Sequence, residues 1–300
     1  MVEGSAVGED RLKVEELMGQ FNTEQACADA LYAAKWPNGF RCARCGHLHA
    51  YKITTRRLPL LECRACHYQE SLTAGTVMEG SRSSLRKWFH AIVLVSYSPG
   101  GVNAVQLGGA IGVTYKTAWL ILHKLRHAMS QADTYIKLSG SVRVNAAFYG
   151  RPHNPSLQRH PQEQPLLVGA SINNEGQSIY IKIKQVEQNY LLERSVKHAG
   201  TRAFMESQVE AGAADVEFVT ARFSSRRFQT LLDNVKEASR WINKMFHGIG
   251  PKYLQAYLDE YCCRMNYNNQ EGSILKRLMH LCASTETVTS RSLIGFVVTT

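Results

Sequence analysis

The chain has 300 residues, and none of its apolar runs approaches the roughly 18 residues that a membrane span needs. Its first ten residues, M-V-E-G-S-A-V-G-E-D, are acidic and lack an apolar core, so they do not read as a secretory signal. The chain is therefore expected to stay in the compartment where it is made, where disulfides are rare. It has no internal repeat and no low-complexity tract. Acidic residues are scarce in one place. From Lys35 to Lys137 there are 14 Lys and Arg but only four Asp and Glu. The remainder has 21 of each, so this contiguous third holds the whole net charge of +10. Positive charge gathered in this way is the footprint of a phosphate-binding surface, the alternative being a solvated basic face with no partner.

The basic third also holds half of the eight cysteines, in two tight pairs. C-A-R-C (Cys42, Cys45) is followed after seventeen residues by C-R-A-C (Cys63, Cys66), while Cys27, Cys262, Cys263 and Cys282 are scattered. Two residues between cysteines let one tight turn aim both thiolates at one ion, and two such knuckles supply the four sulfur ligands that suit structural zinc. Gly46 permits the left-handed backbone that such turns often need. His47, His49 and His67 lie close enough in sequence to compete as ligands, but the four-cysteine site is the simpler one. A site with four cysteines has no open coordination position, so this zinc should organise the fold and do no chemistry. Tyr51–Cys63 reads as two short strands around a basic turn. Arg41, Arg44, Arg56, Arg57 and Arg64 decorate the knuckles and could reach phosphates.

Beyond the ribbon the pattern becomes helical. Ser83–Ser96 has a serine cap and an apolar face, and P-G-G ends it. Asn103 can cap a short helix through about Ala110. Gly112 suits a tight turn, Thr114 a second cap, and a longer helix should run from Tyr115 to about Met129. Short helix, glycine turn and capped longer helix form the helix-turn-helix signature. Ala118, Ile121, Leu122 and Leu125 share one face and should pack inward. Tyr115, Lys116 and Thr117 stand at the N-terminus of the second helix, where recognition helices meet DNA. Lys124 and Arg126 follow as further candidate contacts. Trp119 beside the stripe fits core packing better than base contact.

From residue 140 the period switches to strands: S-V-R-V-N-A-A-F-Y-G, L-L-V-G-A-S-I-N and S-I-Y-I-K-I-K-Q-V, with V-E-F-V-T later. Residues 151–165, with four prolines, read as an exposed loop. Helices return after Gln188. Among them Tyr253–Tyr261 places Leu254, Tyr257, Leu258 and Tyr261 on one face as core. Arg222, Arg226 and Arg227 form a basic cluster that suits a second DNA contact or plain solvation equally.

The order W-P-N-G-F-R-C, four-cysteine ribbon, S-L-T-A-G-T, W-F helix, G-V-T-Y-K-T-A-W, and finally G-I-G-P-K-Y-L-Q-A-Y-L-D-E-Y-C-C-R-M-N resembles the zinc-ribbon DDE insertion-sequence transposases related to the eukaryotic Merlin elements. The resemblance covers most of residues 21–282. It implies an α+β multidomain chain: a flexible N-terminus (1–20), a zinc ribbon (21–80), a helix-turn-helix (81–135), an RNase-H-like mixed α/β domain (140–282) and a tail (283–300). It implies double-stranded DNA, with sequences like transposon ends, as partner, and makes a homo-oligomer plausible. The location would then be cytoplasmic and nucleoid-associated, or nuclear in a eukaryotic host. In such enzymes acidic residues hold two divalent metals, Mg or Mn, that activate water and then a DNA 3′-hydroxyl.

The acidic positions depart from the family. Its first strand carries V-E-V-D-E, but here the same place reads V-R-V-N-A, so Asn145 and Ala146 replace the aspartate and glutamate. The second aspartate, after a threonine, becomes Ala221. The third position aligns loosely with Glu237, with Ser239 in place of the family's lysine. Asparagine offers a neutral oxygen and alanine none, whereas a divalent pair needs anionic oxygens. Three readings follow. The protein binds DNA without cutting it, which is favoured; it is an active enzyme using other acids such as Asp215 or Glu217; or it is a neutral relic. An interaction protein, self-associating near Tyr253–Tyr261, is the competing class.

Overall fold

The structure is a computed structural model that describes residues 3–55, 57–98, 100–150, 160–221, 224–268 and 274–295. The chain forms two compact units. One is Met1–Ala128 with Gly272–Leu293, and the other is Met129–Glu271 with Ile294–Thr300.

The first unit starts with α1 (Glu3–Gln20) and α2 (Glu24–Lys35). The N-terminus that the sequence suggested to be frayed is thus helical and packs on a later helix, α3 (Leu85–Tyr97). The Met18 carbonyl lies 3.2 Å from His90 Nε2. Directly after α1, the Phe21 ring meets Phe89 at 4.9 Å. Thr23 caps α2 through its hydroxyl. The Glu24 carboxylate reaches across to accept the backbone N–H groups of Leu85 and Arg86 at 3.0 and 3.1 Å. These are among the donors that the first turn of α3 cannot satisfy internally, and a negative charge there is favourable. Between α2 and α3 lies a three-stranded antiparallel sheet of β1 (Ala50–Ile53), β2 (Leu60–Cys63) and β3 (Gln69–Ser71). After α3 come α4 (Ala104–Ile111) and the long α5 (Tyr115–Tyr135), whose last turn belongs to the second unit.

The second unit is built on a four-stranded mixed sheet. β4 (Ser141–Tyr149), β5 (Gln164–Ile172) and β6 (Ser178–Gln185) run antiparallel in sequence. After a small hairpin, β7 (Leu191–Leu192) and β8 (Ser195–Val196), and helix α6 (His198–Gln208), β9 (Asp215–Val219) adds parallel to β4. The order is β6-β5-β4-β9. The strand period of two gives the sheet two faces. Val142, Val144 and Ala146 pack with Phe204 and Val209, whereas Ala147 and Tyr149 pack with α7 (Gln229–Phe246) and α8 (Pro251–Asn268). Leu254, Tyr257, Leu258 and Tyr261 are core, as the periodicity indicates. Asp133 in the last turn of α5 is tied into this unit. It accepts from the Tyr180 hydroxyl at 3.1 Å and pairs with Lys182 and Lys184 at 3.2 and 2.7 Å. Burial lowers the Lys182 pKa against the pull of Asp133. For Lys184, Asp259 and Asp133 together outweigh burial and raise it.

The chain then returns to the first unit as α9 (Ile274–Ser284), which packs on α2 and α3 and buries Leu275, Leu278, Leu281 and Cys282. The Cys282 carbonyl accepts the Val77 N–H at 3.1 Å. The sequence assigned this segment to the C-terminal domain and made 283–300 a separate tail. Both boundaries shift because the apolar face of α9 is buried on helices more than 170 residues earlier. The first nine residues of the proline-rich stretch 151–165 lie outside the described residues.

Candidate metal centre and nucleic-acid interface

The four ribbon sulfurs lie within 4.8 Å of one another. Cys42 and Cys66 Sγ are 3.7 Å apart, and Cys45 and Cys63 Sγ are 3.5 Å apart. A tetrahedral zinc with Zn–S bonds of ~2.3 Å requires sulfur–sulfur edges of about 3.8 Å, so the quartet can hold a structural zinc. Each knuckle is closed by the same pair of backbone bonds. Gly46 N–H donates to the Cys42 carbonyl and Cys42 N–H to the His47 carbonyl, while His67 N–H donates to the Cys63 carbonyl and Cys63 N–H to the Tyr68 carbonyl. His67 occupies the left-handed backbone region that Gly46 holds in the first knuckle. The histidines stand outside the sulfur cluster: His47 and His49 meet edge to face, and His67 Nδ1 lies 3.3 Å from Glu62.

The pair of helices α4 and α5 is joined as the caps dictate. Asn103 accepts from the N–H groups of Val105 and Gln106 and is bonded back by Gln106 in a capping box. Gly112 takes the left-handed conformation at the end of α4, and Thr114 accepts from the Thr117 N–H at 3.4 Å. Lys87 of α3 donates to the Gly112 carbonyl at 2.8 Å and so caps α4 from outside.

Within this unit a groove of about 1150 Å³ runs from the 80–84 segment past α4 to the first turns of α5. Its basic residues are Arg57, Arg82, Lys87, Lys116 and Lys124, and no Asp or Glu is among the described lining residues. The rest of the wall is largely glycine, serine and threonine, which lets a ligand approach the backbone closely. The groove thus gathers four of the expected DNA contacts, Arg57, Lys116, Thr117 and Lys124, with Tyr115 exposed beside them. Arg44 is exposed on the first knuckle outside the groove. Arg56 lies outside the described residues. The sequence reading missed Arg82 and Lys87, which the basic run R-S-S-L-R-K at the start of α3 signals.

Two expected contacts are corrected. Arg126 is 2% exposed and Lys124 6% exposed, so neither presents its charge on the surface. Lys124 is turned inward, donating to the Val77 carbonyl at 3.0 Å and the Thr287 hydroxyl at 2.7 Å. Burial lowers its pKa. From Ile121 to Arg126 every residue of α5 is buried, so the helix is enclosed on all sides. Trp119 is half-buried, its ring 4.0 Å from His123.

In the second unit Asn145 is fully buried, at 0% exposure. Its Nδ2 donates to the Phe228 carbonyl at 2.7 Å and its Oδ1 accepts the Phe228 N–H at 3.3 Å. Ala221 is exposed. Glu237 does not join these positions: its carboxylate accepts from the Tyr261 hydroxyl at 3.5 Å, toward α8. α7 instead sends Leu232, Val235 and Lys236 to the cleft beside Ala146 and Thr220. Asp215 starts β9 and Glu217 lies at its middle, facing Ser141 and Arg143 in register, and both pair with Arg143, at 2.7 and 3.7 Å. Among the described residues, the cysteine quartet is the only group of three or more His, Cys, Asp and Glu placed to hold a metal.

Residues 22–69 match the transposase zinc-ribbon domain of the IS1595 type. The match covers 48 of the 300 residues, so the ribbon segment is similar to an insertion-sequence transposase domain. The ribbon match includes all four cysteines, and it ends just before the helices. A protein of Halobacterium salinarum described as an uncharacterized protein in transposable element ISH50 is 28% identical over 150 residues. That alignment takes in 48% of this chain and 47% of the relative, so the chain spans about half the length of the curated protein it matches. No solved structure matches the chain. Among the described residues, no helix is long and apolar enough to cross a membrane.

Proposed function

We propose that the protein is a transposase-derived, sequence-selective double-stranded DNA-binding protein that does not carry out strand transfer. The observation that carries the reading is the acid-free basic groove at the first turns of α5. α4, the Gly112 turn and α5 then act as a helix-turn-helix, with Tyr115 and Thr117 toward the bases and Arg57, Arg82, Lys87 and Lys116 toward phosphates. Zinc, held by the four cysteines, would fix the ribbon that carries Arg57. The mixed sheet with its parallel β9 supports an RNase-H-like second unit. Asn145 and Ala221 leave that unit without the oxygens that Mg or Mn requires, and sequences like transposon ends are the natural ligands. The reading as an active enzyme loses ground because Asp215 and Glu217 are both held by Arg143.

Salt-dependent affinity for duplex DNA tests this. The wild type should bind with a log–log slope that is steep in salt. Arg82→Ala/Lys116→Ala should flatten that slope by about 2, near 0.9 for each phosphate left without its cation. A zinc-loaded, folded protein with no duplex affinity would overturn the reading. Strand transfer or cleavage of end-bearing DNA with Mg or Mn would overturn the loss of catalysis.

A further inference from the structure

The ribbon sheet has an inward and an outward face. On the inward face Leu61 and Cys63 are buried, and Lys52 and Glu70 pair with Asp29 and Lys35 of α2. By the strand period of two, the outward face carries Tyr51 opposite Glu62 and Ile53 opposite Leu60, with Arg64 two residues beyond Glu62. Tyr51 is 54% exposed, although the Arg64 guanidinium lies 4.7 Å from its ring centre. Leu48 and Tyr68 are exposed at the two knuckles as well. Arg41, Arg44, Arg57 and Arg64 are exposed, and none of them is in an ion pair of the described residues. Against them stands one carboxylate, Glu62, whose oxygens are bonded to Gln69 and His67 at 2.7 and 3.3 Å. Stacking on Tyr51 leaves the charge of Arg64 intact, because the ring carries none. Arg57, on the turn that joins β1 to β2, also lines the groove at α5, so the groove and the outward face meet at that turn. An open ring with an unpaired guanidinium against it suits an unpaired base, whose flat face stacks on both while its phosphate meets the other arginines. Bases within a duplex are already stacked and cannot use such a face. A second copy of the same face would set arginines against arginines.

We propose that the outward face of the ribbon binds unpaired nucleotides of a nucleic-acid strand, with a base stacked on Tyr51 beside Arg64 and Arg57 holding a phosphate on the side of the groove. This adds a single-stranded ligand to the duplex reading and does not depend on it. The experiment measures the affinity of the full-length, zinc-loaded protein for a short thymidine oligonucleotide and for an abasic strand of the same length and charge, with a blunt duplex titrated beside them. The thymidine strand should bind roughly fivefold tighter than the abasic one, or more, which is the least that one stacked base supplies. Tyr51→Ala should erase that preference and Tyr51→Phe should keep it, with duplex affinity unchanged in both. Arg64→Gln should weaken the preference severalfold. Zinc content equal to that of the wild type shows that the ribbon of each variant is folded. Arg82→Ala/Lys116→Ala should lower duplex affinity and leave the preference for bases intact, so failure of the duplex reading would be seen separately. Equal binding of the thymidine and abasic strands would overturn the proposal, as would a preference that survives Tyr51→Ala or is lost in zinc-loaded Tyr51→Phe. A wild-type dimer that Tyr51→Ala dissolves, seen by sedimentation without any preference for bases, would overturn it too and give the face to a second copy.

Discussion

The two units treat functional side chains in opposite ways. In the first, the side chains stand ready for ligands: four sulfurs at zinc spacing, and a groove that offers Arg57, Arg82, Lys87 and Lys116 and has no acid among its described lining. In the second, the positions that resemble a metal centre have become packing. Asn145 is buried and spends both ends of its amide on the backbone of Phe228, and Ala146 sits in the apolar face beneath Phe204. A site under no constraint would leave unsatisfied polar atoms or a void. Instead the amide here matches one donor and one acceptor, which a carboxylate could not do. On the function proposed above, the first unit is kept for binding and the second is refitted around positions where related transposases carry carboxylates.

The largest effect that would sharpen this comparison is removal of zinc. Structural zinc contributes roughly 10–16 kcal/mol in zinc-finger peptides, so chelation or Cys63→Ser should unfold the ribbon outright. The second unit has no comparable ligand group among its described residues, and its thermal transition should stay where it was. Calorimetry of the metal-loaded and chelated protein reads both. A single transition that moves as a whole would break the distinction between the units.

Next in size is deletion of residues 272–300. These residues lie far from the ribbon in sequence, yet α9 closes the core of the first unit. Losing the burial that Leu275, Leu278 and Leu281 contribute should cost roughly 5–9 kcal/mol, at about 1.5–3 per buried side chain. The expected outcome is loss of duplex binding and aggregation of the N-terminal unit, followed by filter binding and light scattering. Retention of full DNA affinity would show that the first unit folds without α9.

Asn145→Asp tests the refitting directly. It deletes the donor to the Phe228 carbonyl and places a carboxylate in a fully buried site, a loss on the order of 2–4 kcal/mol near neutral pH. The sign with pH is set by burial, which favours the protonated acid and raises its folded pKa above the unfolded ~3.9. The deficit should therefore be small near pH 4, where the acid keeps its proton and can still donate, and should grow as pH rises toward 7. Urea titrations at the two pH values measure it. Unchanged stability at pH 7 would mean that the position still tolerates a ligand, and would revive the enzyme reading.

The smallest effects bear on how much of this was legible in the sequence. Local chemistry was. The cysteine spacing, the Asn103 cap, the Gly112 turn and the strand over 141–149 depend on neighbours within a few residues, and each stands in the structure. Long-range cover was not. Lys124 and Arg126 look like surface cations on an amphipathic helix, because the apolar stripe Ala118, Ile121, Leu122, Leu125 is complete without them. What buries Lys124 comes from Val77 and from Thr287, 47 and 163 residues away. Glu237 misleads for the same reason, since only the packing of α7 on α8 decides which of its sides faces the cleft. A matched pair of variants separates local from distant causes. Lys124→Met removes a buried charge that bonds a carbonyl and a hydroxyl, leaving Val77 and Thr287 to find other partners, and should cost about 1–2 kcal/mol of stability without altering the salt slope of DNA binding. Lys116→Ala, at an exposed position, should do the reverse: stability unchanged within ~0.5 kcal/mol and the slope reduced by about 1. If both variants flattened the slope equally, α5 would have to open on DNA far enough to release Lys124, and the enclosed helix would be a property of the free protein alone.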